Sequence, residues 1–144
     1  KGKAIIAFDF DSQLGKSQLQ KHIREADIII ESSRPRAVEN MGISAEEEVD
    51  RGAIWCSITG YGRNLHPNRV GFGDDAAAAG CLLAEVNKSL WFVGDASADP
   101  LTGATAAALT HGLWFAGSSG LIDISLAATS SLHTHGVIPK GIMW

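Results

Sequence analysis

The pair Asp99-Pro100 has the residue types of a helix start, with Asp at the capping position and Pro at the first helical position. A capping carboxylate accepts hydrogen bonds from amides one turn on, here near Thr102 and Gly103, and those bonds hold it ionised. Gly103 brings no side chain to the place where a ligand would approach that helix end, and Asp95 adds a second carboxylate to the same loop. As a cap alone, Asp99 contributes about 1 kcal/mol of stability. As an ionised group at a helix mouth it is also placed where a ligand could meet it.

Other motifs promise less. Gly15-Lys16-Ser17 resembles the end of a phosphate-binding loop, but Phe10 stands where that loop needs a glycine to curl around phosphate. No Gly-x-Gly-x-x-Gly occurs, so the dinucleotide fingerprint is missing. His133 and His135 would point to one side of a strand, yet no nearby acid or Cys completes the three protein ligands that zinc generally wants, and no metal is expected. No Ser–His–acid order or nucleophile elbow is visible. Cys56 falls inside an apolar run, where a free thiol behaves as a small hydrophobe.

The positioning elements must come from a chain of 144 residues, 45% hydrophobic and 19% charged, which suits one domain with a real core and excludes intrinsic disorder. A net charge of −4 argues against nucleic acid as a partner. Two cysteines fit a reducing, cytoplasmic compartment. Pro100 to Ile122 carries no formal charge and is long enough to cross a bilayer, but its Gly117-Ser-Ser-Gly120 centre reads as a turn between two elements, so no membrane span is expected. The apolar run Ala4 to Phe8 is too short for a signal peptide. After Asp99 the only charged residues are Asp123 and Lys140, so part of this final third needs cover, and a homodimer or larger oligomer is expected to supply it.

Short apolar runs alternate with helical periods. Strands are predicted at Ala4–Phe10, Ile28–Glu31, Ala53–Thr59, Leu90–Val93 and within Leu121–Leu126. Helices are predicted at Ser12–Ala26, as one turn at Ala37–Met41, from Ser44 to about Arg51 behind a Ser44/Glu47 capping box, at Asp74–Val86 and at Asp99–Phe115. The pattern implies an α/β domain of three layers, Rossmann-like, with a mainly parallel sheet and helices on both faces. This core spans 1–131, followed by a weakly structured tail at 132–144. Ligands in such folds sit beyond the carboxyl ends of the strands, here the loops at 9–11, 32–36, 60–62 and 94–99.

Six motifs in order, Ala26-Asp27-Ile-Ile-Ile-Glu31-Ser-Ser-Arg34-Pro35, Met41-Gly42, Ser57-Ile-Thr-Gly60-Tyr61-Gly62, Gly71-Phe72-Gly73-Asp74, Asp99-Pro-Leu-Thr-Gly103 and Ile122-Asp-Ile-Ser-Leu126, resemble the family III CoA-transferases, which include formyl-CoA transferase, carnitine CoA-transferases and alpha-methylacyl-CoA racemase. The resemblance runs from Gly2 to about Ser131. It implies an acyl-CoA and a small carboxylic acid as substrates, coenzyme A exchanged between them, and an Asp-x-x-x-Gly nucleophile that falls on Asp99 and Gly103. It also implies phosphate contact by Arg34 and Arg69, with Tyr61 and Gly103 in the binding surface.

Departures accompany the match. Ser32 and Ser33 replace an Asn-Phe pair, Arg36 replaces a Gly, and Asn40 stands where a basic residue often precedes Met-Gly. The racemase base, a His close to Phe72, is absent, which argues against racemisation. Family members are longer and form interlocked dimers, so the resemblance implies that a strand–helix–strand segment, a second small domain and a basic Thr-Gly-x-Gly turn near Ala116–Gly120 are missing. A catalytically inactive, self-associating relic with weak or no CoA binding is the alternative expectation.

Overall fold

A computed structural model describes residues 2–64 and 66–134. Three parallel strands, β1 (Ile28–Glu31), β2 (Ile54–Thr59) and β5 (Gly120–Ser125), form the main sheet in the order β1-β2-β5. Ile28 pairs with Ile54, and Ile54 with Gly120, so the carboxyl ends of all three strands reach the same edge. Helices α1 (Gln13–Arg24), α2 (Pro35–Asn40) and α3 (Ala45–Asp50) precede β2, and α5 (Ala98–Phe115) precedes β5.

The alternation of side chains along each strand separates two cores. Ile29, Ala53 and Trp55 pack with Val38, Ile43 and Ala45, backed by Leu19 and Ile23 of α1. On the opposite face Ile54, Cys56, Ile122 and Ile124 pack with Ala106 of α5. Central β2 is therefore buried on both sides, which is why Ala53-Ile-Trp-Cys56 leads into it as a continuous apolar run. This is the expected three-layer α/β architecture. It leaves one flank open, since Ile30 of β1 shares a face with Ile28 beyond the reach of α5 and is 61% exposed.

Four departures from the expected elements have identifiable physical causes. Residues 2–9 take no regular structure, and Ile5 is 97% exposed. Composition alone does not make a strand, and this run pairs with neither open edge of the β1-β2-β5 sheet. The helix predicted over Asp74–Val86 stops early. Helix α4 covers Gly73–Ala79, then Gly80 and a left-handed Cys81 turn the chain into β3 (Leu83–Val86). Strand β3 pairs antiparallel with β4 (Ser89–Phe92) through Asn87 and Lys88, both at positive φ, as a two-residue type I′ hairpin requires. A further helix, α6 (Leu126–Leu132), follows β5, capped by Ser125, whose hydroxyl accepts the Ala128 amide at 3.2 Å. The predicted 132–144 tail lies mostly outside the described residues.

The uncharged stretch 100–122 resolves into α5, a turn and β5. Gly117 ends α5 with φ +62, and the amides of Gly117 and Ser118 close on the carbonyls of Trp114 and Leu113. That reciprocal pair is a Schellman stop, which needs a residue tolerant of left-handed backbone. No helix among the described residues is long and apolar enough to cross a membrane.

Candidate functional site

A cleft of about 340 Å³ opens at the carboxyl ends of β1 and β2. Its walls include Ser33 and Arg34 after β1, Thr59 at the end of β2, His66 and Arg69 from the following loop, and Asp99 at the start of α5. Arg34, Arg69 and Asp99, singled out in the sequence, thus line one cavity where a parallel sheet is expected to bind ligands. His66 was not singled out. An isolated His in a Pro- and Asn-containing loop carries no pattern, and only the folded turn, in which the Arg69 amide bonds the His66 carbonyl at 3.0 Å, brings it to the cleft.

Behind the cleft a buried polar clamp fixes the loops. The Glu31 carboxylate accepts the hydroxyl of fully buried Ser57 on β2 and the Ser33 amide, the latter at 2.6 Å, which pins the turn leading to Arg34. The Arg63 guanidinium lies 3.8 Å from Glu31 and 3.4 Å from Glu46, and only 9% of its side chain is exposed. The Arg63 amide donates to both carboxylate oxygens of Asp123 on β5, at 3.0 and 3.2 Å. Strands β1, β2 and β5 therefore jointly hold the segment that follows Gly62. Arg63 and Asp123 are distant in sequence, so no local motif announces their partnership.

Tyr61 is buried, and the Arg69 guanidinium stacks 3.7 Å from its ring centroid. Such stacking contributes roughly 0.5–1 kcal/mol at an exposed site and holds the guanidinium plane beside the cleft. Tyr61, Arg69 and His66 also line an adjoining cavity of about 310 Å³. A Cβ on Gly71 would fall 2.5 Å from the Tyr61 ring, so glycine there lets the returning chain pass over the tyrosine.

Asp99 does not occupy the cap predicted for it. Helix α5 begins at Ala98 with Ser97 as the flanking residue, and Asp99 lies in the first turn, exposed. Pro100 tolerates the first turn as well as its opening position, because amides there have no intrahelical acceptor. The Asp99 carboxylate instead packs at Gly73, where an added Cβ would overlap Oδ2. Its amide donates to the Ala96 carbonyl at 3.0 Å, and the Ala96 amide donates to Asp74 Oδ1 at 2.9 Å. Ala96 holds φ +47, a conformation costing an L-residue about 1–2 kcal/mol. Gly103 is exposed one turn further along α5, outside the cleft lining, with open space around it.

Burial pushes the Cys56 thiol above its ordinary value, nearby Thr110 opposes that shift only in part, and the Glu31 charge adds to it. The thiol is accordingly an inert part of the core. Among the described residues no three His, Cys, Asp or Glu side chains gather as a metal site. The His133 ring instead contacts the Thr129 carbonyl at 2.8 Å, and His135 lies outside the described residues.

Residues 1–135 match CoA-transferase family III, and the chain belongs to that family. It is similar to formyl-CoA:oxalate CoA-transferase of Escherichia coli, 33% identical over 81 residues that cover 54% of this chain and 20% of the relative. A CAIB/BAIF family protein from Brucella suis superimposes with a TM-score of 0.77 at 26% identity, over 90% of this chain and 37% of that one. Rv3272 from Mycobacterium tuberculosis superimposes with a TM-score of 0.82 over 93% of this chain and 40% of the other, at 19% identity, a likeness of fold alone. The chain thus spans about a fifth of the length of the curated relatives it matches and roughly two fifths of the solved ones.

Proposed function

We propose that this chain carries the nucleophile-bearing core of a CoA-transferase, with Asp99 as the attacking group. The observation that carries the reading is the exposed Asp99 carboxylate in a cleft shared with Arg34, Arg69 and His66. The carboxylate attacks the thioester carbonyl of an acyl-CoA, the C–S bond breaks, and CoA leaves as a thiolate while the acyl group stays on Asp99 as a mixed anhydride. The thiolate then attacks the aspartyl carbonyl, freeing the first acid and leaving an aspartyl-CoA thioester. An acceptor carboxylate attacks that thioester, and the thiolate finally takes the new acyl group, regenerating Asp99. Arg34 and Arg69 supply guanidinium forks suited to the phosphates of CoA. Free, buried Cys56 and Cys81 support a reducing, cytoplasmic setting.

The test is to mix the protein with formyl-, acetyl- or butyryl-CoA, trap with hydroxylamine or borohydride, and map the product by mass spectrometry. Hydroxamate or alcohol at Asp99, absent in Asp99→Asn, supports the reading. No modification with any of the three, together with no heat of CoA binding, overturns it.

A second reading, a self-associating domain without turnover, draws on large apolar side chains left in water, among them Trp91, Phe92, Trp114 and Phe115. Sedimentation showing a concentration-dependent dimer without CoA binding supports this alternative. A monomer at high concentration removes it.

A further inference from the structure

The geometry points to Asp74 as the positioning residue for Asp99, acting through the strained backbone of Ala96. This inference rests on the reading of Asp99 as nucleophile, and its structural half is testable without it. Asp74 Oδ1 accepts the Ala96 amide at 2.9 Å, and the Ala96 carbonyl accepts the Asp99 amide at 3.0 Å. One alanine is thus held from both ends while its φ stands at +47, which its Cβ disfavours. Relaxing Ala96 to negative φ would swing its carbonyl away from Asp99 and change where α5 begins. The contact at Gly73, next to Asp74 in sequence, leaves the Asp99 carboxylate little freedom on that side, since a Cβ there would overlap Oδ2 and come within 2.8 Å of Ala96 Cα. Helix α4 therefore carries two adjacent devices, an acceptor that sets the backbone before Asp99 and a bare Cα that seats its carboxylate.

A positional error near 1 Å at a reacting group costs up to about a hundredfold in rate. Asp74→Ala is expected to slow acylation of Asp99, and any turnover, about tenfold while leaving KM for acyl-CoA within about twofold. Asp74→Asn retains an oxygen acceptor and should stay near wild type. Ala96→Gly in the Asp74→Ala background supplies left-handed backbone without the Cβ penalty and should recover most of the loss. A residue that merely stabilised the fold would not be rescued in this pattern.

Amide hydrogen exchange by NMR reads the same device without activity. In Asp74→Ala the Ala96 and Asp99 amides should both exchange faster. In the double variant Asp99 should regain protection while residue 96 does not. Asp99 protection unchanged in Asp74→Ala overturns the inference, as does wild-type acylation in that variant. Loss and rescue of protection in a protein that never acylates at Asp99 would uphold the positioning and discard only the nucleophile reading. Should Asp74→Ala fail to fold, Ala96→Gly alone decides, because Asp99 protection must persist when the strain is relieved and Asp74 remains.

Discussion

Gly73 and Asp99 approach so closely that no other amino acid fits at position 73 without moving the Asp99 carboxylate. The contact joins the start of α4 to the start of α5, two elements separated by a hairpin in sequence. Gly73→Ala is therefore expected to lose about 1–3 kcal/mol of stability by overpacking and to turn the carboxylate out of its seat. Urea unfolding checks the first effect. Trapping with acyl-CoA checks the second, where Asp99 labelling should fall further than the change in stability explains.

Arg69 is exposed and stacks on a buried ring, so its removal should leave the fold nearly intact while emptying one wall of the cleft. Arg69→Ala is expected to weaken CoA binding about tenfold, equal to roughly 1.4 kcal/mol, with Arg69→Lys intermediate because it keeps the charge but loses the flat stack. Calorimetric titration with CoA at two salt concentrations measures both variants. Equal affinity in all three proteins would remove Arg69 from the site.

The Glu31 carboxylate serves Ser57, Ser33 and Arg63 together. Glu31→Leu strands a buried hydroxyl and leaves the mostly buried Arg63 guanidinium with Glu46 alone, at an expected cost of about 3–5 kcal/mol. Adding Arg63→Met should recover part of that loss, because the second change removes the charge that Glu31 had helped to compensate. Denaturant unfolding of the two single variants and the double variant gives the coupling directly.

Cys56 supplies a pH signature. Its thiol is pushed upward by burial from the ordinary value of 9.0, so the folded protein holds the proton more tightly than the unfolded chain. Stability from this group is fully present below pH 9.0 and is lost as pH rises from there through the folded value. Cys56→Ala should therefore lose less Tm than the parent chain between about pH 8 and pH 10. Parallel curves over that interval would contradict the assignment.

Much of this architecture is legible in the sequence because its determinants are local. Ala53 to Cys56 forms a continuous apolar run, as a strand buried on both faces favours, and Ser44 with Glu47 marks the start of α3 as expected. Strand ends in turn locate the loops that carry Arg34 and Asp99. What escaped depends on distant partners or on backbone conformations that no residue type signals. Ala4–Phe10 has the composition of a strand but pairs with neither open edge of the sheet. The alanines of α4 suggest a longer helix, whereas Gly80, Cys81 and the Asn87-Lys88 turn divert the chain into a hairpin. The cap assigned to Asp99 shifted by two residues because Ala96 enters a left-handed conformation that no alanine advertises. Likewise His66 and the Glu31–Arg63–Asp123 clamp belong to tertiary structure alone.

Strand β2 obtains its second neighbour only when Gly120–Ser125 arrives, and that same strand brings the Asp123 carboxylate to the Arg63 amide. Closing so long a loop is slow relative to forming helices, so it falls late in folding. A nascent chain still missing Gly120–Ser125 would thus hold the loops of the cleft without the Asp123 anchor for the segment that follows Gly62, which ties the ordering of those loops to the arrival of β5.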